Sequence, residues 1–282
     1  MAGLLSGLAG LGLNELEDMS IFEETQEEIV EKKPVIAKIE EKDLIYDKAF
    51  GCPVCGNTFT SKIMKTGKVK LIGTDRDLRP TYEGIDAVKY DVQLCPSCGY
   101  AALSRFFPNI TSNQAKLITE NISRKVRLHP FEGEIYTYDE AMERYQLALA
   151  NAVVKKARNS EKAYICLKSA WLVRGYVEYL DETDDKVQDR KTLKAKEEEY
   201  LLNAYSGFLE ARQTEAFPIC GMDEITLDYL VAELAYHFNK YDVASKMVAI
   251  ILTSSVANNR MKDKARELKD EILADLKQRD RL

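Results

Sequence analysis

The residues best placed to do chemistry are four cysteines in two nearly identical stretches, Cys52-Pro53-Val54-Cys55-Gly56 and Cys95-Pro96-Ser97-Cys98-Gly99. A Cys-x-x-Cys pair puts two sulfurs on one tight turn, where both reach the same ion. The glycine after each pair admits positive φ, so backbone N–H groups can turn in towards the sulfurs. Together Cys52, Cys55, Cys95 and Cys98 offer a tetrahedral set of four thiolates with no open position for a water molecule. Zn²⁺ is the expected occupant. Iron in a rubredoxin-like site would use the same ligands, and spacing alone does not separate the two. The remaining arrangement, two disulfides, fits poorly because nothing in the chain points to an oxidising compartment.

Other reactive side chains are sparse. The two histidines, His129 and His237, belong to no His-Glu-x-x-His or His-x-Glu pattern. That argues against a zinc deaminase, which needs a glutamate beside its histidine ligand. The chain has no Gly-x-x-x-x-Gly-Lys loop for nucleotide phosphates and no Gly-x-Ser-x-Gly elbow. Cys166 falls inside a predicted helix and reads as buried. Cys220, in a Pro-Ile-Cys-Gly turn, reads as more exposed, but no base stands out to activate it. Asp75 and Asp77 could bind a second cation or place a base; the plainer expectation is solvated loop residues paired with Arg76 and Arg79. No catalytic residue is assigned.

Stepping outward from these residues, the chain of 282 residues suits one large or two ordinary domains, and its 30% charged and 45% hydrophobic composition is that of a soluble globular protein. No apolar run approaches the roughly 18 residues needed to span a bilayer. The apolar start, Met1 to Leu13, lacks a basic region, so a signal peptide is not expected and the cytoplasm is the default location. The net charge of −6 is concentrated in residues 1–44, which hold 4 Lys and 11 Asp or Glu. Residues 45–108 carry 9 basic and 6 acidic residues, a mild bias far from the basic stripe of a dedicated nucleic-acid binder.

Three segments follow. Residues 1–44 form an acidic leader in which Leu4, Leu5, Leu8, Leu11 and Leu13 recur at nearly helical spacing. It reads as a disordered tail or as a peptide that docks on a helical surface. Residues 45–107 carry the cysteines between predicted strands at 57–64, 68–72 and 87–94, with a charged loop, Asp75 to Pro80, between the last two. Strand, knuckle, strand, loop, strand, knuckle is the order of a zinc ribbon. Such a module buries little apolar surface, so a metal should supply much of its stability. Lys62, Lys65, Lys68 and Lys70 could touch phosphates, and Phe59 and Tyr82 could stack on bases or pack around the knuckles.

The stretch CPVCGNTF, followed by DRDLRPTYEGIDAVKYDVQLCPSCGYAA, resembles a bacterial family of unknown function, DUF2225. That family carries a Cys-x-x-Cys, an Asp-x-Asp, a Tyr-x-Val and a final Cys-x-x-Cys-Gly-Tyr-Ala in this order. The matching positions are Cys52 and Cys55, Asp75 and Asp77, Tyr90 and Val92, and Cys95 through Ala101. The resemblance is close over about residues 45–105 and looser beyond. It implies a cysteine-rich ribbon followed by helices resembling tetratricopeptide repeats (TPRs), and it brings no assigned activity.

Residues 108–282 read as helices. Capping boxes at Thr111/Gln114 and Thr137/Glu140 open the first two, with His129-Pro130 ending the first near Leu128. In the second, Tyr138, Ala141, Tyr145 and Ala148 sit where a TPR helix places its aromatic and small residues. Ser160 is the expected cap of a third helix, Asp181 to Asp185 an acidic connection, and Lys191 to Thr214 a fourth helix. Leu227–Phe238 and Asp242–Thr253 form a helical hairpin, and Met261 to Gln278 carries one apolar stripe, as a capping helix does. The expected fold class is therefore mainly α with a small β module: a four-cysteine zinc ribbon followed by an α-helical hairpin array resembling TPRs. Insertions between the pairs leave a compact helical bundle as the other arrangement. Tyr136, Tyr138, Tyr145, Trp171, Arg174 and Tyr176 are the candidates for lining a groove. The function expected is a non-catalytic zinc-binding scaffold or adaptor that holds a protein or peptide partner. The alternative is a nucleic-acid-binding zinc ribbon with a helical assembly domain. No membrane contact is expected.

Overall fold

Both cysteine stretches form the tips of antiparallel hairpins. In the computed structural model, which describes residues 40–129, 131–183 and 187–279, strand β1 (Ile45–Gly51) pairs with β2 (Thr58–Met64), from Ile45 opposite Met64 to Gly51 opposite Thr58. The first knuckle fills the turn between them. Strand β3 (Leu71–Thr74) pairs with β4 (Pro80–Tyr82). Strand β5 (Val92–Leu94) pairs with β6 (Ala101–Leu103) around the second knuckle. The three pairs are separate two-stranded sheets. The leader as a whole lies outside the described residues except for its last five, 40–44, of which Glu41–Leu44 make a short 3₁₀ turn.

The strand expected over 87–94 is half wrong. Ala87–Tyr90 is a 3₁₀ turn, and only Val92–Leu94 is extended. Asp86 decides this locally, because its carboxylate accepts the Val88 N–H and caps the turn. The turn lets Val88, Lys89 and Tyr90 all be buried in succession, which a strand with alternating faces would not allow.

Helix α1 (Ser112–Ile118) starts at the expected Thr111/Gln114 capping box but ends early, passing into a π turn over Thr119–Ser123. Helix α2 (Tyr138–Val154) starts at the Thr137/Glu140 box. Four further helices pack on sequence neighbours: α3 (Asn159–Thr183), α4 (Val187–Thr214), α5 (Glu224–His237) and α6 (Tyr241–Thr253). Helix α7 (Asn259–Arg279) closes the series with Ala265, Leu268 and Ile272 buried on α5 and α6. Ser160 does not cap α3. It lies in the first turn, and its N–H and hydroxyl both bond to the Glu215 carboxylate at the end of α4. The chain is thus mainly helical with small β hairpins.

The main core is continuous across both kinds of structure. Val88, Val92, Ala101 and Leu103 from the cysteine region share one buried cluster with Tyr145, Ala148, Trp171 and Phe208 from the helices. The face of α2 bearing small residues (Ala141, Ala148 and Ala152) lets β5 and β6 come close as well as α3. Tyr145 at its centre donates its hydroxyl to the Val88 carbonyl. Among the described residues, no helix is long and apolar enough to cross a membrane.

Candidate metal centre

The four cysteines meet. One ligand atom from each of Cys52, Cys55, Cys95 and Cys98 lies within 4.8 Å of all the others. Cys52 Sγ is 3.6 Å from Cys98 Sγ, and Cys55 Sγ is 3.7 Å from Cys95 Sγ. Zinc–sulfur bonds of about 2.3 Å in a tetrahedron set sulfurs about 3.8 Å apart, so these two pairs stand at the spacing of a shared ion. None of the four is bonded to another, and the cluster brings sulfurs of the two knuckles together, Cys52 with Cys98 and Cys55 with Cys95.

Each knuckle builds its half in the same way. Gly56 N–H bonds to the Cys52 carbonyl, and Gly99 N–H bonds to the Cys95 carbonyl, both at 2.9 Å. Cys52 N–H and Cys95 N–H reach across to the carbonyls of Asn57 and Tyr100. Gly56 and Gly99 take φ of 76° and 72°, the left-handed region that a side chain resists. The turn then aims the amides of Val54 and Cys55 at Cys52 Sγ, and those of Ser97 and Cys98 at Cys95 Sγ. These donors favour thiolate. With no cation, four thiolates would repel one another, so Cys98 shares its proton with Cys52. That hydrogen bond pushes Cys52 down to about 5 and Cys98 well up, while burial raises Cys95 to about 11. A divalent cation bound here would take over the proton's role, with the four sulfurs as its ligands.

An aromatic shell seals the cluster from below. Phe50, Phe59, Phe107 and Tyr100 stack or meet edge to face around Cys52, Cys95 and Cys98, and Tyr100 donates its hydroxyl to the Phe107 carbonyl. Phe59 is therefore occupied by packing, and Tyr82 is half-buried in a separate cluster with Ile85 and Tyr136. Three of the four lysines offered for phosphates have local partners: Lys62 pairs with Asp47, Lys65 donates to the Asp43 carbonyl, and Lys70 pairs with Glu83.

In the Asp75–Pro80 loop the expected pairing of Asp75 with Arg79 is present at 3.7 Å, but the loop is not a solvated one. Asp77 is 8% exposed, accepts the Trp171 indole N–H at 3.0 Å, and takes two bonds from Arg174. Asp75 also accepts from Arg174, which turns its Nε to Glu197 of α4. Arg79 makes a fork to Glu178 of α3, and Arg76 reaches Glu233 of α5 and Glu271 of α7. The loop thus ties the β3–β4 hairpin to α3, α5 and α7. Leu78 helps by taking φ of 71° at the tip, a strained conformation held by the Leu78 N–H to Asp75 carbonyl bond. No sequence signal marked these partners, which lie about a hundred residues or more away.

The proposed groove residues divide. Tyr136, Tyr145 and Trp171 are buried, and Arg174 is committed to the loop. Tyr138 and Tyr176 stack with centroids 5.0 Å apart and line a cavity of about 740 Å³ between β4 and helices α2 and α3. At the back of this seam, Asp86 accepts from Tyr138, and burial holds its carboxyl above the usual range. His129 is exposed, and His237 is exposed and sits 2.8 Å from Glu198. Burial raises Cys166 to about 11 and Cys220 to about 12, so both remain thiols.

A closed four-cysteine cluster on a helical body defines the class. The chain belongs to the DUF2225 family, described as an uncharacterized protein conserved in bacteria, whose model matches residues 45–272. No curated protein and no solved structure matches it.

Proposed function

We propose that Cys52, Cys55, Cys95 and Cys98 hold one structural Zn²⁺ in a zinc-ribbon-like module, and that the chain is a non-catalytic cytoplasmic scaffold for a protein partner. The observation that carries the zinc reading is closure. Four sulfurs at tetrahedral spacing fill the coordination sphere, and three of the cysteines are at most 5% exposed. Such a site leaves no place for a reacting water. The stabilised fold is the product of the metal, not a reaction.

The partner-binding part rests on the helices. They pack in chain order, as repeats resembling TPRs do, which produces extended surfaces for peptides. The chain's own Asp75–Arg79 loop is bonded to α3, α5 and α7, and the seam lined by Tyr138 and Tyr176 is the surface assigned to a partner segment. Ile72 and Tyr179, 62% and 50% exposed, stand at its rim. Purified without added metal, the protein should carry one zinc per chain and no visible absorption band. A rubredoxin-like band would transfer the site to iron. Affinity capture with the wild type and with Tyr176→Ala should recover a partner only with the former. Equal recovery would remove the seam from the account.

A further inference from the structure

Charge is segregated on this body. Residues 112–129 hold Lys116, Arg124, Lys125 and Arg127 against one acid, Glu120. Residues 153–162 hold Lys155, Lys156, Arg158 and Lys162 against Glu161 alone. The two segments converge on the cysteine cluster, because Val126 and Val154 both pack against its buried core. Gly99 makes the approach of Val126 close: a Cβ there would stand 2.7 Å from Val126 Cγ1. From the third side comes Phe50, on the same core, with Lys48 Nζ 5.4 Å over its ring.

Few of these charges are neutralised among the described residues. Lys155 is buried and pairs with Glu161, and Lys116 lies 4.0 Å from Glu120. Lys48, Arg124, Lys125, Arg127, Lys156 and Arg158 are all exposed, and none pairs with a carboxylate among the described residues. The loops between them are the knuckle tips, Pro53, Asn57, Pro96 and Ser97, small or uncharged and exposed.

We propose that this ring of cations around the cysteine cluster is a binding surface for the phosphate backbone of a double-stranded nucleic acid. Six exposed cations with no carboxylate partner among the described residues supply the sequence-independent attraction that phosphates require. A protein partner would call for an apolar centre inside the polar rim, and the large exposed apolar side chains lie mostly elsewhere, Val153 in the second segment and Tyr46 on the strand of Lys48 being the exceptions. A single strand would call for a row of exposed rings to stack on, but the rings that pack on the cluster, Phe50, Phe59 and Phe107, are turned into the core, which leaves Tyr46 as a lone exposed ring beside Lys48. The surface is distinct from the Lys62–Lys70 stretch at the end of β2 and in the turn after it, whose lysines are largely paired, and from the tyrosine seam, so it stands or falls separately from the scaffold reading.

The test is fluorescence anisotropy of the full-length, metal-loaded protein with labelled short DNA and RNA duplexes of random sequence, titrated from low to physiological salt. Binding should weaken with a log–log salt slope of about −4, the mark of several released counterions. Arg124→Glu/Lys125→Glu/Arg127→Glu should lose at least about tenfold in affinity at low salt, with zinc content and circular dichroism unchanged. Lys48→Glu/Arg158→Glu, on other elements, should lose affinity also and serves if the first variant does not fold. Lys68→Glu/Lys70→Glu should bind as the wild type does. The DNA and RNA arms tell which duplex is preferred. Absence of binding to both at low salt, binding indifferent to the first two variants, or equal binding to polyglutamate would overturn the proposal, the last by pointing to an acidic protein instead.

Discussion

The two knuckles share a sequence and differ in what holds them. Around Gly56 the space is open, and a Cβ there would meet nothing within 4 Å. Cys55 is exposed, and four consecutive residues of β1, Tyr46 to Ala49, face solvent. At the second knuckle Cys95 is fully buried, Gly99 abuts Val126, and the Gly99 carbonyl accepts the side-chain amide of Asn151 from α2 at 3.0 Å. Strand β6 behind it is buried along its whole length. One copy of the motif is therefore built into the helical body. The other meets that body through the cysteine cluster, through Phe50 and Phe59, and through Tyr136, whose hydroxyl meets Ser61 and the Lys62 N–H. The same five-residue pattern serves once as an anchor and once as a clasp.

This contrast can be broken most severely at the ligands. Cys95→Ser removes a buried ligand from the anchored knuckle and should abolish zinc retention. Structural zinc is worth roughly 10 kcal/mol or more in small modules, so the melting transition should fall sharply. Cys55→Ser, at the exposed corner, should weaken zinc affinity and leave the helical circular dichroism near that of the wild type. Equal collapse in both variants would erase the distinction between clasp and anchor.

A second break lies in the loop that ties β3 and β4 to the helices. Arg174→Ala strands the buried Asp77 carboxylate, and breaking a buried pair in this way costs about 3–5 kcal/mol. Chemical denaturation should report that loss with zinc still bound. Gly175→Ala strikes the same seam from the helix side, since its Cβ would stand 2.2 Å from Asp86 Oδ2. A loss of about 1–3 kcal/mol, the usual cost of overpacking, is expected.

The glycines sharpen the comparison at smaller scale. Both Gly56→Ala and Gly99→Ala force a side chain into the left-handed region, at about 1–2 kcal/mol each. Only Gly99→Ala adds the collision with Val126, for a further 1–3 kcal/mol or so. Melting temperatures should order wild type, Gly56→Ala, Gly99→Ala. Asn151→Ala is the mildest test: loss of its bond to the Gly99 carbonyl should cost about 1–2 kcal/mol. A neutral result there would mean the second knuckle does not lean on α2.

What could be read from the sequence was local. The Cys-Pro-x-Cys-Gly repeat announced the cluster because all its information lies within five residues. The two capping boxes announced helix starts for the same reason. What escaped was set by partners far along the chain. Val88-Lys89-Tyr90 alternates like a strand, yet the Asp86 cap bends it into a turn. Asp75 and Asp77 looked like solvated acids because Arg174, which pairs with both, and Trp171, which helps bury Asp77, lie about a hundred positions on. Ser160 looked like a cap because Glu215 was not in view. The tyrosines named for a groove were recognised as important, but Tyr136 and Tyr145 hold the β hairpins to α2 instead of facing outward.

The most direct test of a shared ion is hydrogen–deuterium exchange of the full chain before and after chelation. Protection of the amides in β1 and β2 should collapse on metal removal, while that of β5, β6 and the helices falls far less. Unchanged protection in β1 and β2 after complete removal of the metal would contradict the account, because the first knuckle would then be held without the ion.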